Sequence, residues 1–114
     1  MGEAVITTRR QADGAIVVEI RGILDAATVD PVRSQLLGVL QRDRPRLLVV
    51  DMMFVTFMDS SGMRALVAAH GAARDIGARV QLRNLSEFVH RQLRITGLTD
   101  LFGVPAVNTG GYRL

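Results

Sequence analysis

Arg46-Leu-Leu-Val-Val-Asp51 and, beyond Met52–Met58, Asp59-Ser-Ser-Gly-Met-Arg-Ala-Leu66 together decide the fold. A continuous apolar run ended by a carboxylate is the pattern of a strand buried on both faces of a parallel sheet, so Arg46–Asp51 is expected at the centre. Met52–Met58 reads as a connection. Asp59, Ser60 and Ser61 are helix-start residues, the alanine-rich segment after them runs to Ile76, and Gly77 supplies a stop. Strand, connection and helix in this order are the unit of an α/β sheet.

Working toward the N-terminus, Val32, Leu36, Val39 and Leu40 recur at helical spacing. Helix-start residues lie between Asp25 and Pro31, and the charged stretch Arg42-Asp-Arg-Pro45 ends the pattern. Before this helix, Ala4–Arg9 and Ala15–Arg21 flank Asp13-Gly14, a turn pair typical of hairpins. Ile16, Val18 and Ile20 alternate there with Val17, Glu19 and Arg21, as in a half-buried strand. Toward the C-terminus, Arg79–Arg83 resembles another strand, Ser86 caps a helix through about Ile95, and Leu101–Val107 is expected to close with a last strand. The predicted order is β-β-α-β-α-β-α-β, a mixed sheet of four to five strands packed with three to four helices. Residues 1–114 form one domain, with 108–114 a flexible tail.

The chain has 114 residues, 48% hydrophobic and 22% charged, a length and balance that suit one packed domain and exclude a disordered chain. No uncharged run approaches the roughly 20 apolar residues that span a bilayer, so the chain is expected to be soluble and without a membrane partner. Its N-terminus lacks the layout of a signal peptide, and without cysteine there is no disulfide framework or thiolate metal site. A cytoplasmic location with no metal and no cofactor is the expectation. All fourteen basic residues are arginine and the net charge is +3. The arginines fall in scattered groups, without interleaved aromatic residues to stack on bases, so no direct contact with nucleic acid is expected.

On the helix that begins near Asp59, Ala65, Leu66, Ala69, Ala73 and Ile76 fall on the side that must pack on the sheet. Ser60, Arg64, Val67, Gly71 and Asp75 fall on the other, with Met63 near the boundary. Apolar side chains in line with a serine suggest a contact surface. Asp59 or Ser60 explains one cap, and Gly62 lets the turn pass close to a neighbour. Ser60 lies where free N–H groups and the helix dipole favour negative charge. Ser61 is nearer the packed side and reads as a structural hydroxyl.

Phe57-Met-Asp-Ser-Ser-Gly-Met63, following a buried strand and opening a helix, resembles the signature of the STAS family, found in anti-sigma factor antagonists and sulfate-transporter tails. Arg21-Gly-Ile-Leu-Asp-Ala-Ala-Thr28, Asp51 at the end of the central strand, and Asn84-Leu-Ser86 through Thr96-Gly97-Leu98 are similar at the expected places. The resemblance implies a non-enzymatic regulator working by partner switching. Its first motif serine, Ser60, would be phosphorylated by an anti-sigma factor that is also a serine kinase. The unphosphorylated form binds that factor and frees the sigma factor, phosphorylation ends binding, and a phosphatase resets the cycle. Asp25, Thr28 and Asp59 would line the same surface, with Ser61, Gly62, Met63, Arg64 and Val67 completing it. The chain departs from many antagonists at Ile23, where they carry an acidic residue, and at Ala26-Ala27, where they carry a polar pair.

Other readings remain beside this one. Within the family, the chain would serve as a non-phosphorylated interaction module of a stress-signalling or lipid-transport assembly. A serine hydrolase is disfavoured because Met58 stands where a nucleophile elbow needs glycine, and His70 and His90 read as helix-surface histidines. A phosphate-binding loop fails for want of any lysine.

Overall fold

The structure is a computed structural model, and it describes residues 3–104. Strands β1 (Ala4–Arg10) and β2 (Ile16–Leu24) are followed by helix α1 (Val29–Asp43) and strand β3 (Leu47–Met58). Helix α2 (Ser60–Asp75), strand β4 (Arg79–Arg83) and helix α3 (Glu87–Ile95) complete the order. The strands form one sheet in the order β1-β2-β3-β4, with β1 antiparallel to β2 and the remaining pairs parallel. This is the mixed α/β architecture that the apolar patterning predicts.

The hairpin turn is set by Asp13 and Gly14: Asp13 Oδ1 accepts from the Ala15 N–H at 3.0 Å, and Gly14 takes φ +90°. Leu48, Val50 and Met52 of β3 join Ile16, Val18 and Ile20 of β2 on the core face. Val32, Leu36, Val39 and Leu40 of α1 cover one part of that face, and Leu66, Ala69 and Ala73 of α2 cover the rest. Val17 and Val49, which point to the opposite face, are also buried, so the centre of the sheet is shielded on both sides as the apolar run demands.

Met52–Met58 is not a connection but the second half of β3, and Asp51 therefore sits inside the strand rather than at its end. Two register shifts explain the difference. Glu19 pairs with Asp51 but Arg21 with Phe54, and Gly22 pairs with Val55 but Ile23 with Phe57. At each shift β3 carries one residue more than β2, which breaks the two-residue alternation. Met52, Val55 and Met58 are buried while Met53, Phe54, Thr56 and Phe57 are exposed, a spacing of three that does not read as a strand. Gly22 lies between the shifts at φ +103°, and a Cβ there would stand 2.2 Å from the Glu3 carbonyl oxygen.

Two further expectations are corrected. Leu101–Gly103 form a turn with Phe102 buried, not a strand. Gly103 there adopts φ +65° and its N–H bonds the Asp100 carbonyl, which ends any extended conformation. The rest of that expected strand, 105–107, and the expected tail, 108–114, lie outside the described residues. His90 is not a surface histidine: at 1% exposure it lies in the core beside Val89 and Leu93, on the face that α3 turns toward the sheet.

Candidate functional site

Parallel strands β2 and β3 end side by side, with Leu24 opposite Met58, so the segments that follow them emerge as neighbours at the C-terminal edge of the sheet. The Leu24 carbonyl accepts from the Asp59 N–H at 3.0 Å and ties the two segments together. Crevices beyond the carboxyl ends of parallel strands are where α/β folds place their ligands.

After β2, Asp25 and Thr28 hold each other. Asp25 Oδ1 accepts from the Ala27 and Thr28 N–H groups at 2.9 and 3.1 Å. In return Thr28 Oγ1 accepts from the Asp25 N–H at 3.0 Å and donates to the Ile23 carbonyl at 2.6 Å. This reciprocal pair launches α1 in place of a conventional side-chain cap. Thr28 is buried, Asp25 is half-buried, and Ala26 and Ala27 are exposed between them.

After β3, Asp59 caps α2: its Oδ1 accepts from the Ser61 N–H at 2.8 Å and the Gly62 N–H at 3.4 Å. Two N–H groups of the first turn are therefore engaged by a carboxylate rather than free for an added anion. Ser60 is the first helical residue and is exposed, whereas Ser61 is half-buried. Gly62 is buried, and a Cβ on it would stand 2.7 Å from Met58 Cγ, 2.9 Å from Leu24 Cβ and 3.1 Å from the Leu24 carbonyl oxygen. The motif glycine is thus the contact that lets α2 start directly against the β2 segment.

Of the residues singled out on α2, Arg64 and Val67 are exposed and Met63 is buried at 6% exposure. Met63 lies on the floor of a groove of about 620 Å³ between α2 and α3, whose walls include Ser60, Val67, Ile95 and Leu98. Gln92 of α3 closes one side, its side-chain Nε2 donating to the Met58 carbonyl immediately before Asp59. The structure brings Ser60, Asp59, Met63, Arg64 and Val67 to this one groove. Asp25 and Thr28 belong to the segment that follows β2, and Ser61 and Gly62, in the first turn of α2, do not line the groove.

The contribution of α3 escaped the sequence reading. Phe88, Gln92 and Ile95 recur at i, i+4 and i+7, a second stripe beside the core positions Val89 and Leu93. That spacing is the signal that Gln92 and Ile95 belong to a surface of their own. Phe88 stacks on Phe57 of β3 with ring centroids 5.8 Å apart, fixing α3 over the end of the strand.

Asp51 lies apart from the groove and is structural. Its Oδ1 accepts from the Met53 N–H and Asn84 Nδ2, and Arg83 approaches Oδ2 at 3.5 Å. Among the described residues no group of His, Cys, Asp and Glu has the makings of a metal site, and no helix is long and apolar enough to cross a membrane.

Comparison with known proteins agrees with this architecture. The chain is 30% identical over 103 residues to an anti-sigma-B factor antagonist of Bacillus subtilis, covering 90% of this chain and 92% of that one. Its fold is similar to the anti-sigma factor antagonist SpoIIAA in its unphosphorylated form, with a TM-score of 0.75, 20% identity, and coverage of 85% of this chain and 84% of that one. An anti-sigma factor antagonist from Mycobacterium paratuberculosis gives a TM-score of 0.72 at 26% identity, covering 91% of this chain and 86% of the other. With residues 7–110 also matching the model of the STAS domain, the chain belongs to the STAS domain family.

Proposed function

We propose that this protein is an anti-sigma factor antagonist, a cytoplasmic regulator without catalysis of its own, whose binding is switched off by phosphorylation of Ser60. Its partner is an anti-sigma factor with serine kinase activity, and a phosphatase acting on phosphorylated Ser60 resets it. The observation that carries the reading is the exposure of Ser60 as the first residue of α2, at the head of Asp59-Ser-Ser-Gly62. Relatives across most of the chain named as anti-sigma factor antagonists support it.

The switch works without a change of fold. A phosphate of about −1.5 to −2 charge on Ser60 stands beside the Asp59 carboxylate. In the free protein, water screens the two. A partner that covers the site excludes that water, so the repulsion grows and the phosphate loses hydration. A nucleotide held by the kinase for transfer to Ser60 adds further negative charge opposite the product. A differential cost of roughly 3 kcal/mol lowers affinity about a hundredfold, enough to release the partner.

The test is a calorimetric titration of the purified anti-sigma factor kinase of the source organism with wild-type, Ser60→Ala and Ser60→Asp proteins. Ser60→Ala is expected to bind as wild type. Ser60→Asp is expected to lose binding with an unchanged circular dichroism spectrum, and tight binding of Ser60→Asp would refute the switch.

A further inference from the structure

Strand β1 lies at one edge of the sheet, and among the described residues only its β2 side is paired. The Ile23 N–H donates to the Glu3 carbonyl and the Gln11 N–H to the Ala15 carbonyl, each at 2.8 Å. Both bonds continue the unbroken register in which Ala4 faces Gly22 and Arg10 faces Ile16, so the odd-numbered residues of β1 direct their backbone groups to β2. Ala4, Ile6 and Thr8 therefore turn their N–H and C=O groups to the open edge.

Edge strands usually resist further pairing through a proline, a bulge or a charge within the strand. β1 has no register shift and no proline, and every residue between Glu3 and Arg9 is uncharged. Val5, Ile6, Thr7 and Thr8 are all β-branched, and Val5 is 52% exposed. The other edge strand differs: β4 carries arginine at both ends, so self-pairing about Gln81 would set Arg79 against Arg83.

What β1 fits is its own copy. Antiparallel self-pairing through the free backbone groups sets even-numbered residues opposite one another, which allows Ile6 to face Ile6, Thr8 or Ala4. With Ile6 facing Ile6, Glu3 of each copy stands opposite Arg9 of the other, and Val5 faces Thr7. With Ile6 facing Thr8, Val5 meets Arg9 instead, and with Ile6 facing Ala4, Glu3 meets Thr7. Only the first register pairs opposite charges. Glu3 and Arg9 are both exposed, and among the described residues neither makes an ion pair.

We infer that β1 joins β1 of a second copy, antiparallel about Ile6, in one continuous sheet with a contact between Glu3 and Arg9 on each side of the twofold axis. Residues opposite one another point to the same face, so α1 of both copies lies on the same side of the joined sheet. β2 separates β1 from β3 and α2, which leaves Ser60 open in both copies. The pairing does not depend on the role of Ser60.

Sedimentation velocity of the full chain over a concentration series is expected to show a monomer–dimer equilibrium. Arg9→Glu and Glu3→Arg each set like charges against one another at both contacts and are expected to weaken association about tenfold. The double variant restores the pairs and with them the dimer. Because the chain has no cysteine, Val5→Cys and Thr7→Cys report the register directly. Opposed residues that are not hydrogen-bonded bring their Cα atoms to about 4.5 Å, within disulfide reach. Under mild oxidation a mixture of the two variants is expected to cross-link far faster than either alone, and circular dichroism checks that every variant folds. A monomer at all concentrations, a dimer indifferent to Arg9→Glu, or a cysteine variant that cross-links best with itself would overturn the proposal.

Discussion

Replacing Gly62 by alanine sets two measurable effects against each other. Alanine is the better helix former by roughly 1 kcal/mol, so helix propensity alone predicts a more stable protein. The added methyl, however, stands 2.7 Å from Met58 Cγ, 2.9 Å from Leu24 Cβ and 3.1 Å from the Leu24 carbonyl oxygen. None of these atoms can move freely. Leu24 and Met58 are paired in adjacent strands, both are buried to 1% exposure or less, and the Leu24 carbonyl is held by the Asp59 N–H at 3.0 Å. Overpacking costs about 1–3 kcal/mol, and so rigid a neighbourhood falls at the upper end. The net expectation for Gly62→Ala is a destabilisation of about 2 kcal/mol, near 8 °C in Tm for a domain of this size. Urea denaturation followed by circular dichroism measures it. Stability equal to or above wild type would mean that α2 does not start against Leu24, refuting the packing role of the motif glycine.

Two other substitutions probe the supports of the site. Thr28→Val keeps the shape but removes the bonds to the Ile23 carbonyl and the Asp25 N–H. It should cost about 2 kcal/mol by urea denaturation and speed hydrogen exchange at the Asp25 amide, whereas unchanged exchange would contradict the reciprocal pair. Asp51→Ala strips partners from the Met53 N–H, Asn84 Nδ2 and Arg83, so about 2–3 kcal/mol should be lost in thermal or chemical denaturation. A variant as stable as wild type would show that this bridge between β3 and the β4 end contributes nothing.

Parts of this fold are legible in the sequence because local chemistry and burial agree there. Ser86 caps α3 by accepting from the Val89 N–H at 3.1 Å, and Ala65, Leu66, Ala69 and Ala73 turn to the core as their spacing requires. The second half of β3 is illegible because its extra residues against β2 replace alternation with a spacing of three, a tertiary property that no local pattern states. The site divides in the same way. The exposed start of α2 follows from the helix signals around Ser60, but the engagement of Asp59 with the Ser61 and Gly62 N–H groups depends on side-chain geometry. The groove depends on where α3 docks, which is fixed by Gln92 and Phe88 reaching residues more than 30 positions away in the chain. Met63 illustrates the limit: helical spacing puts it at the boundary of the packed face, and only the position of α3 makes it a floor.

The central claim is tested most directly by incubating the protein with the purified anti-sigma factor kinase and ATP, locating the phosphate by tandem mass spectrometry, and titrating the product against the same kinase. The account predicts one phosphate, on Ser60, and an affinity lowered about a hundredfold. A phosphate on Ser61, no phosphate at all, or a Ser60-phosphorylated protein that binds as tightly as before would contradict it.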